Sequence, residues 1–303
     1  ASMGAGSRQG KLTFDAAWVS SAFSTQGDPL RRQVLVNLRA PRVAAGLLVG
    51  VALAMAGLLL QGVTRNPLAD PYLLGISGGA GLMVVMLHAV PRLLALGWWL
   101  IPTAAFAGAM VASLLVLRLA RGAGGRLTIL GLILGGVVIN AFCAALMSFM
   151  LARFDPFRLR ITTLWLAGGI GFSEPGQLAL AAVVVLVGGL YLRAQAHRLN
   201  AMVLGSEGAG TVGVDSARLL LRAASVASLL TGVGVSLGGL LGYVGLIVPH
   251  AVRLLLGSDF RATLPVAASA GALLLVTADM AARLAFAPEE LPVGVLTAII
   301  GYS

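Results

Sequence analysis

The sequence predicts an all-α fold, a polytopic integral membrane helix bundle with about nine spans in this chain. Of its 303 residues, 58% are hydrophobic and 11% are charged, whereas a soluble domain has about 25% charged residues. The 40 glycines suit membrane helices, which pack closely through small residues. The apolar runs are continuous, unlike the alternating segments of about ten residues that form an outer-membrane barrel.

The apolar segments make residues 1–303 a single transmembrane domain. The uncharged run 223–252 would be about 45 Å long as one helix, more than the ~30 Å bilayer core, so we place a break at Gly238–Gly239. Ahead of the first span, residues 12–23 are amphipathic and predict a short helix at the membrane surface. The predicted spans are residues 43–63, 73–90, 95–117, 127–151, 177–193, 218–237, 240–256, 262–284 and a last one from 292.

A charged, proline-bounded turn at residues 61–72 separates the first two spans. Because a proline biases the preceding residue away from helical angles, we expect the first span to end near Thr64. Four glycines within residues 73–81 predict a close approach of helices after the turn. The polar and proline residues of this central turn are Arg65, Asn66, Pro67, Asp70 and Pro71.

The sequence contains no recognisable catalytic or metal-binding set. Lys11 is the only lysine, so the Gly-Lys-Ser/Thr phosphate-binding motif is impossible. Cys143 is the only cysteine, and the three histidines have no ligand spacing. We therefore predict no catalytic residue, metal or cofactor in this chain. Any uphill transport would be driven by another subunit or by an ion gradient.

The net charge of +10 would suggest nucleic-acid binding in a soluble protein. Here the arginines lie between apolar runs, which favours membrane lipid and partner subunits as their partners and excludes nucleic acid. The basic residues divide almost equally between the two sides of the predicted spans, so the positive-inside rule gives no orientation.

Two polar features fall within the spans. Asn140 lies in the middle of a span, where an amide normally faces protein rather than lipid. It either bonds a neighbouring helix or lines a pore. Asp279 and Arg283 are four residues apart on one predicted helix, a spacing that lets them form an ion pair.

Four motifs follow one another along the chain. They are NLRAPR at 37–42, RNPLADPYLLGISGGAG at 65–81, the glycine-rich segment 204–215, and the block 242–284 with ADMAAR, followed by ELPVGVLTAIIG at 290–301. In this order they resemble the motifs of the FecCD-type permeases, the membrane subunits of ABC importers for iron–siderophore chelates, haem and cobalamin. The resemblance implies ten helices in the family, and we expect this sequence to lack the first and to end within the last.

The resemblance also implies partners and a location. The chain would work in the bacterial inner membrane as a homodimer, with two ATP-binding cassette subunits and a periplasmic substrate-binding protein. ATP and Mg would be bound by the partner ATPase. Arg39, Arg42 and Arg283 would receive carboxylates of the binding protein. Arg153, Arg158 and Arg160 would lie near the outer mouth and favour an anionic solute, although solvated loop arginines explain them equally well.

Residues 194–217 would form the cytoplasmic segment that receives the motion of the ATPase, and we expect two short helices there. The coupling residues would be Leu204, Gly205, Ser206, Glu207, Gly213 and Val214.

Two other functions remain open at this point. An ion-coupled secondary transporter would carry charged residues deep in broken helices, and a membrane scaffold would not need the glycine-rich segment. For an importer, the substrate is a large metal chelate or tetrapyrrole, with haem or an iron–siderophore favoured and cobalamin as the alternative.

Overall fold

The computed structural model describes residues 29–97, 99–121, 127–171, 173–203, 205–285 and 291–302. These residues form helices joined by short connections, with an isolated antiparallel bridge between Arg121 and Leu127. The all-α prediction is confirmed. The predicted surface helix at 12–23 lies outside the described residues.

The described helices are numbered here in chain order. A π-helical turn, Leu35–Arg39, joins the first two of them, and a 3₁₀ turn, Pro71–Leu74, precedes the third. The helices are α1 (Pro29–Val34), α2 (Ala40–Thr64), α3 (Ile76–Ala89), α4 (Pro91–Leu94), α5 (Leu100–Leu119), α6 (Ile129–Leu151), α7 (Pro156–Leu166), α8 (Pro175–Met202), α9 (Gly205–Thr211), α10 (Ser216–Gly238), α11 (Val244–Leu256), α12 (Phe260–Ala285) and α13 (Val293–Tyr302).

Each predicted span contains one of these helices. Among the described residues, six helices are long and apolar enough to cross a membrane, and α3 and α11 are shorter apolar helices. The helix containing the first span ends at Thr64, as the prolines predict, and α10 ends at Gly238, at the predicted break.

Two predictions about helix content are wrong. We expected two short helices in the segment 194–217, but its described residues before Ser216 contain one, α9, because α8 continues through the first part of the segment to Met202. The second span is shorter than predicted, since its first residues form the 3₁₀ turn. Helix α7 lies between the fourth and fifth predicted spans.

Helix α2 lies at the centre of the bundle, packed against α8, α10, α11 and α12. Most of its residues from Ala45 to Val63 are buried. Gly50 of α2 meets Gly271 of α12 so closely that a Cβ on either would overlap the carbonyl oxygen of the other. Gly79 and Gly108 bring α3 and α5 together in the same way, which confirms the predicted close approach near residue 79. Small residues thus set the helix spacing.

Candidate functional site

Two arginines from different helices converge on one carboxylate at the Arg42 end of α2. Arg42 donates from Nε and Nη2 to Asp279 Oδ1, at 3.2 and 3.0 Å. Arg283 donates from Nη2 to Asp279 Oδ2 at 2.9 Å, and from Nε to the Asp279 carbonyl oxygen at 3.3 Å. The predicted pair between Asp279 and Arg283 is confirmed, and Arg42 joins it. We call these three residues the Asp279 cluster.

The side chains of the Asp279 cluster differ in their exposure, with the carboxylate inside the bundle and the arginines nearer its surface. The side chain of Asp279 is 6% exposed, that of Arg42 is 23% exposed and that of Arg283 is 32% exposed. A buried carboxylate is costly unless it is paired, and both of its oxygens are used here. The two arginines, which are more exposed than Asp279, lie at the rim of the bundle. Arg39, on the π-helical turn before α2, is exposed one helical turn away.

The central turn at the other end of α2 is held by its own polar residues. Arg65 caps α2 in the left-handed conformation, with φ of 55°. Asn66 Oδ1 accepts from the backbone N–H of Leu68 at 2.9 Å, and Asp70 Oδ1 accepts from that of Tyr72 at 2.7 Å. Pro71 begins the 3₁₀ turn, where a missing N–H costs nothing. Pro67 is exposed between the two capped segments.

Asp70 is half-buried in this turn, outside the spanning helices. Burial raises its pKa from 3.8 to about 6, and the hydrogen bond from Tyr72 N–H opposes this only in part. Leu73, Leu74 and Leu132 line the small cavity beside it. These apolar neighbours solvate the charged carboxylate poorly.

Asn140 of α6 bonds the start of α3 and the turn before it. Its Oδ1 accepts from the backbone N–H of Gly78 at 3.0 Å and from Ser77 Oγ at 3.4 Å, and its Nδ2 donates to the Tyr72 carbonyl oxygen at 3.1 Å. The first turn of a helix has N–H groups without helical partners, and no side chain at Gly75 caps α3. Asn140 supplies that cap from another helix, and its role in a pore stays a prediction.

The segment expected to couple to an ATPase contains α9 and the turn after it. Gly205 starts α9 with φ of 94°, and Gly213 has φ of 78° in the following turn. Val214 donates its N–H to the Ala209 carbonyl oxygen at 2.9 Å, and its side chain packs against the core. Leu204 and the side chains of Ser206 and Glu207 lie outside the described structure.

The central turn and α9 lie together in space. A Cβ built on Gly205 would be 3.1 Å from Nη1 of Arg65. The guanidinium at the end of α2 therefore reaches the first residue of α9. These two sequence motifs form one surface at the end of α2 opposite the Asp279 cluster, which we call the Arg65 surface (Arg65 and residues 205–214).

The three arginines after α6 have different environments. Arg153 lies over the ring of Phe149, 4.9 Å from its centroid. Arg158 Nε pairs with Asp155 Oδ2 at 2.9 Å, and Asp155 caps α7. Arg160 is exposed on α7. No group of three His, Cys, Asp or Glu side chains that could hold a metal is present in the described part of the chain.

A family model for the FecCD transport family matches residues 5–302. The chain belongs to the FecCD transport family. It is therefore a membrane-spanning permease of the ABC importer type, as the four motifs indicate.

Curated FecCD permeases from distant organisms are similar over nearly the whole chain. The hemin transport system permease protein HmuU of Yersinia pestis is 39% identical over 294 residues, which cover 96% of this chain and 85% of that protein. The cobalamin import system permease protein BtuC of Halobacterium salinarum is 40% identical, with 96% of this chain and 78% of that protein covered.

Solved structures share the fold of this FecCD permease. An inward-facing structure of a metal-chelate type ABC transporter matches with a TM-score of 0.82 and 28% identity, covering 94% of this chain and 92% of that one. PsaBC from Streptococcus pneumoniae matches with a TM-score of 0.62 at 15% identity and shows the fold alone.

One residue that no sequence pattern predicted links two helix ends of this FecCD permease. Asn200, in the last turn of α8, accepts at Oδ1 from the backbone N–H of Phe260 at 2.9 Å. Its Nδ2 donates to Asp259 Oδ1 at 2.7 Å. The same Asp259 oxygen accepts from the backbone N–H of Arg261 at 2.9 Å. An asparagine near a helix end gives no sequence signal for a partner about 60 residues away.

A second missed residue is Arg253, near the end of α11. Its Nη2 donates to the Leu58 carbonyl oxygen of α2 at 3.2 Å, and its guanidinium lies over the buried ring of Phe260, 5.1 Å from the centroid. Gly62 of α2 leaves the space that both groups occupy. Arg253 thus joins α2, α11 and α12 near the Arg65 surface.

Proposed function

We propose that this FecCD permease is the membrane subunit of an importer for a large metal chelate or tetrapyrrole. It would receive the substrate from a periplasmic binding protein and release it into the cytoplasm by alternating access. A separate ATPase would supply the energy. The observation that carries this proposal is the family membership, together with relatives named for hemin and cobalamin that cover nearly all of this chain.

Haem or an iron–siderophore is the favoured substrate class. Sequence identity does not distinguish haem from cobalamin as the substrate, since the hemin and cobalamin relatives are 39% and 40% identical to this chain. The charge of the residues after α6 is the remaining argument. Arg153, Arg158 and Arg160 follow α6 as a basic group, and haem carboxylates or an anionic iron chelate suit such a group. Cobalamin, which lacks free carboxylates, remains the alternative.

We assign the Arg65 surface to the cytoplasmic ATPase. It includes part of the segment 194–217, which the family resemblance places on the cytoplasmic side, and Arg65 of the central turn reaches this segment at Gly205. Two copies of the chain would each present this surface to one ATP-binding cassette subunit. Motion of α9 would pass into α2 through Arg65 and into α8 directly along the chain.

We assign the opposite end, with Arg39, Arg42 and Arg283, to the substrate-binding protein. Arginine has a rigid donor fork that suits carboxylates, and exposed positive charge steers an acidic partner toward the membrane. Arg39→Glu tests this assignment at a residue outside the Asp279 cluster. A rim charge acts mainly on the association rate and its salt dependence, so association with the binding protein should slow at low salt. An unchanged association rate would contradict the assignment.

Apolar side chains cover the outside of the bundle, especially on α6, where Leu134, Val138 and Phe142 are exposed. Such faces suit membrane lipid and helix packing against a second copy. We propose a homodimer in the bacterial inner membrane with the pore between the two copies.

The substrate proposal is tested by purifying the complex together with its binding protein from cells. Absorption spectra and mass spectrometry of the bound small molecule identify it. Haem gives an intense Soret band and a siderophore gives an iron-chelate spectrum, and either supports the favoured class. A corrinoid would select the cobalamin alternative, and a small free ion or sugar would contradict the substrate class.

A further inference from the structure

We propose that Asp279 is a positioning residue for binding-protein recognition: it holds Arg42 and Arg283 in the orientation that receives carboxylates of the partner. This inference rests on the proposed function of the Arg42 end as a docking surface. It concerns a residue that does not itself reach the surface, since the Asp279 side chain is 6% exposed.

The geometry of the Asp279 cluster supports a positioning role. Arg42 donates two hydrogen bonds to Oδ1 of Asp279, and Arg283 donates one to Oδ2. One carboxylate therefore orients guanidinium groups from two helices, and one of these groups, that of Arg42, is 237 residues from Asp279 in sequence. The second bond from Arg283, to the Asp279 carbonyl oxygen, fixes the plane of its guanidinium as well.

Arginine side chains have many rotamers and lose entropy when they are fixed in one of them. A partner that binds freely rotating arginines must bear the cost of ordering them, so arginines that are already ordered bind more tightly. In the Asp279 cluster, the bonds to Asp279 orient both guanidinium groups before the partner arrives. The side chains of Arg42 and Arg283 are still 23% and 32% exposed, so both are accessible to the partner.

The experiment measures binding-protein association with the permease–ATPase complex in lipid nanodiscs, following association and dissociation separately. The variants are Asp279→Asn, the double variant Arg42→Ala with Arg283→Ala, and the triple variant that combines them. Thr277→Ala is the matched control, because Thr277 is exposed on the same helix and bonds only carbonyl oxygens within it. Thermal unfolding of each complex is recorded in parallel.

We expect Asp279→Asn to speed dissociation of the binding protein at least tenfold, while association at low salt is retained because both positive charges remain. In the background of the double arginine variant, Asp279→Asn should have no further effect on dissociation. Thr277→Ala should bind as the wild type does. This non-additivity is the signature of action through the arginines, and a general loss of stability would not produce it.

Asp279→Glu is a second variant that keeps the inference testable if the asparagine variant does not fold. It keeps the charge and displaces the carboxylate by one methylene, so dissociation should fall between wild type and Asp279→Asn. If both variants fail to fold, Asp279 is structural and the inference is wrong. If the double arginine variant weakens docking but Asp279→Asn leaves dissociation unchanged, the inference fails and the docking surface stands. If the double arginine variant docks normally, the proposed docking surface fails.

Discussion

Asn200 at the end of α8 donates a 2.7 Å hydrogen bond to Asp259, directly before the first turn of α12. The same asparagine caps α12 by accepting the N–H of Phe260, whose fully buried ring lies beneath Arg253. Helix α8 leads into α9 and the Arg65 surface. Asn200 is thus one point through which a movement of α9 would reach α12, the helix that carries Asp279 at its far end.

Asn200→Ala should destabilise the protein by about 1 kcal/mol, the usual cost of losing a helix cap. It should also lower substrate uptake per ATP hydrolysed, because α12 loses the hydrogen bonds that Asn200 at the end of α8 makes to its first residues. Thermal unfolding and coupled uptake in proteoliposomes measure the two effects. Arg198→Ala is the control, since exposed Arg198 bonds Gln195 within α8. Equal coupling in both variants would remove Asn200 from the coupling path.

Gly205→Ala should impair assembly with the ATPase or uncouple hydrolysis from uptake. The positive φ of 94° disfavours a side chain, and the new Cβ would press against Arg65. Gly210→Ala is the matched control in the same helix, because a Cβ there has nothing within 4 Å. ATPase co-purification and coupled uptake measure the outcome. If both alanine variants behave like the wild type, the contact between Arg65 and Gly205 carries no coupling.

Replacing Gly205 and Gly213 with valine should have a stronger effect, since both have positive φ.

Asn140→Ala should lower thermal stability by roughly 1 kcal/mol, in the range measured for hydrogen bonds between membrane helices. The loss is expected because the N–H of Gly78 and the carbonyl of Tyr72 lose their partner. Substrate preference should stay the same. Ser148→Ala, at an exposed position on the same helix, is the control. A changed substrate preference at unchanged stability would instead indicate that Asn140 lines the pore.

Asp70→Asn should raise stability at pH 7 to 8. The pKa of Asp70 is raised from 3.8 to about 6 in the folded protein, so folding disfavours its charged form. Its contribution to stability therefore falls as pH rises from about 4 to about 6 and is constant above that. The asparagine variant keeps the cap on Tyr72 without the charge.

The advantage of Asp70→Asn is roughly 3 kcal/mol at most, since one pKa unit corresponds to about 1.4 kcal/mol. Thermal unfolding in detergent between pH 4.5 and 8 measures it, and the advantage should grow with pH and then level off. Asn66→Ala, in the same turn, changes hydrogen bonding without removing a titratable group. A constant difference between Asp70→Asn and wild type over this range would contradict the raised pKa.

The spans were predictable because apolar runs and prolines act locally. Pro67 and Pro71 predicted the end of α2, and the glycine pair at 238–239 predicted the end of α10. The extension of α8 to Met202 was missed because polar residues such as Arg193 and Arg198 end an apolar run without ending a helix. An apolar run predicts only the part of a helix that lies in the lipid. The helix itself can continue beyond the membrane into water.

The candidate sites were predictable only in part. The spacing of Asp279 and Arg283 predicted their pair, since both lie on one helix face. Arg42 is 237 residues from Asp279, so helical spacing cannot predict their contact. The contact between Arg65 and Gly205 depends in the same way on how distant helices pack. Such contacts need the three-dimensional structure.

The most direct test of the proposed importer is substrate uptake by the reconstituted complex of this permease, its ATPase subunits and its binding protein. Proteoliposomes carry ATP inside, and haem loaded on the binding protein is supplied outside. We predict uptake that requires internal ATP and the binding protein and that persists when ion gradients are collapsed with ionophores. Uptake that proceeds without ATP and disappears with the ion gradient would contradict this account.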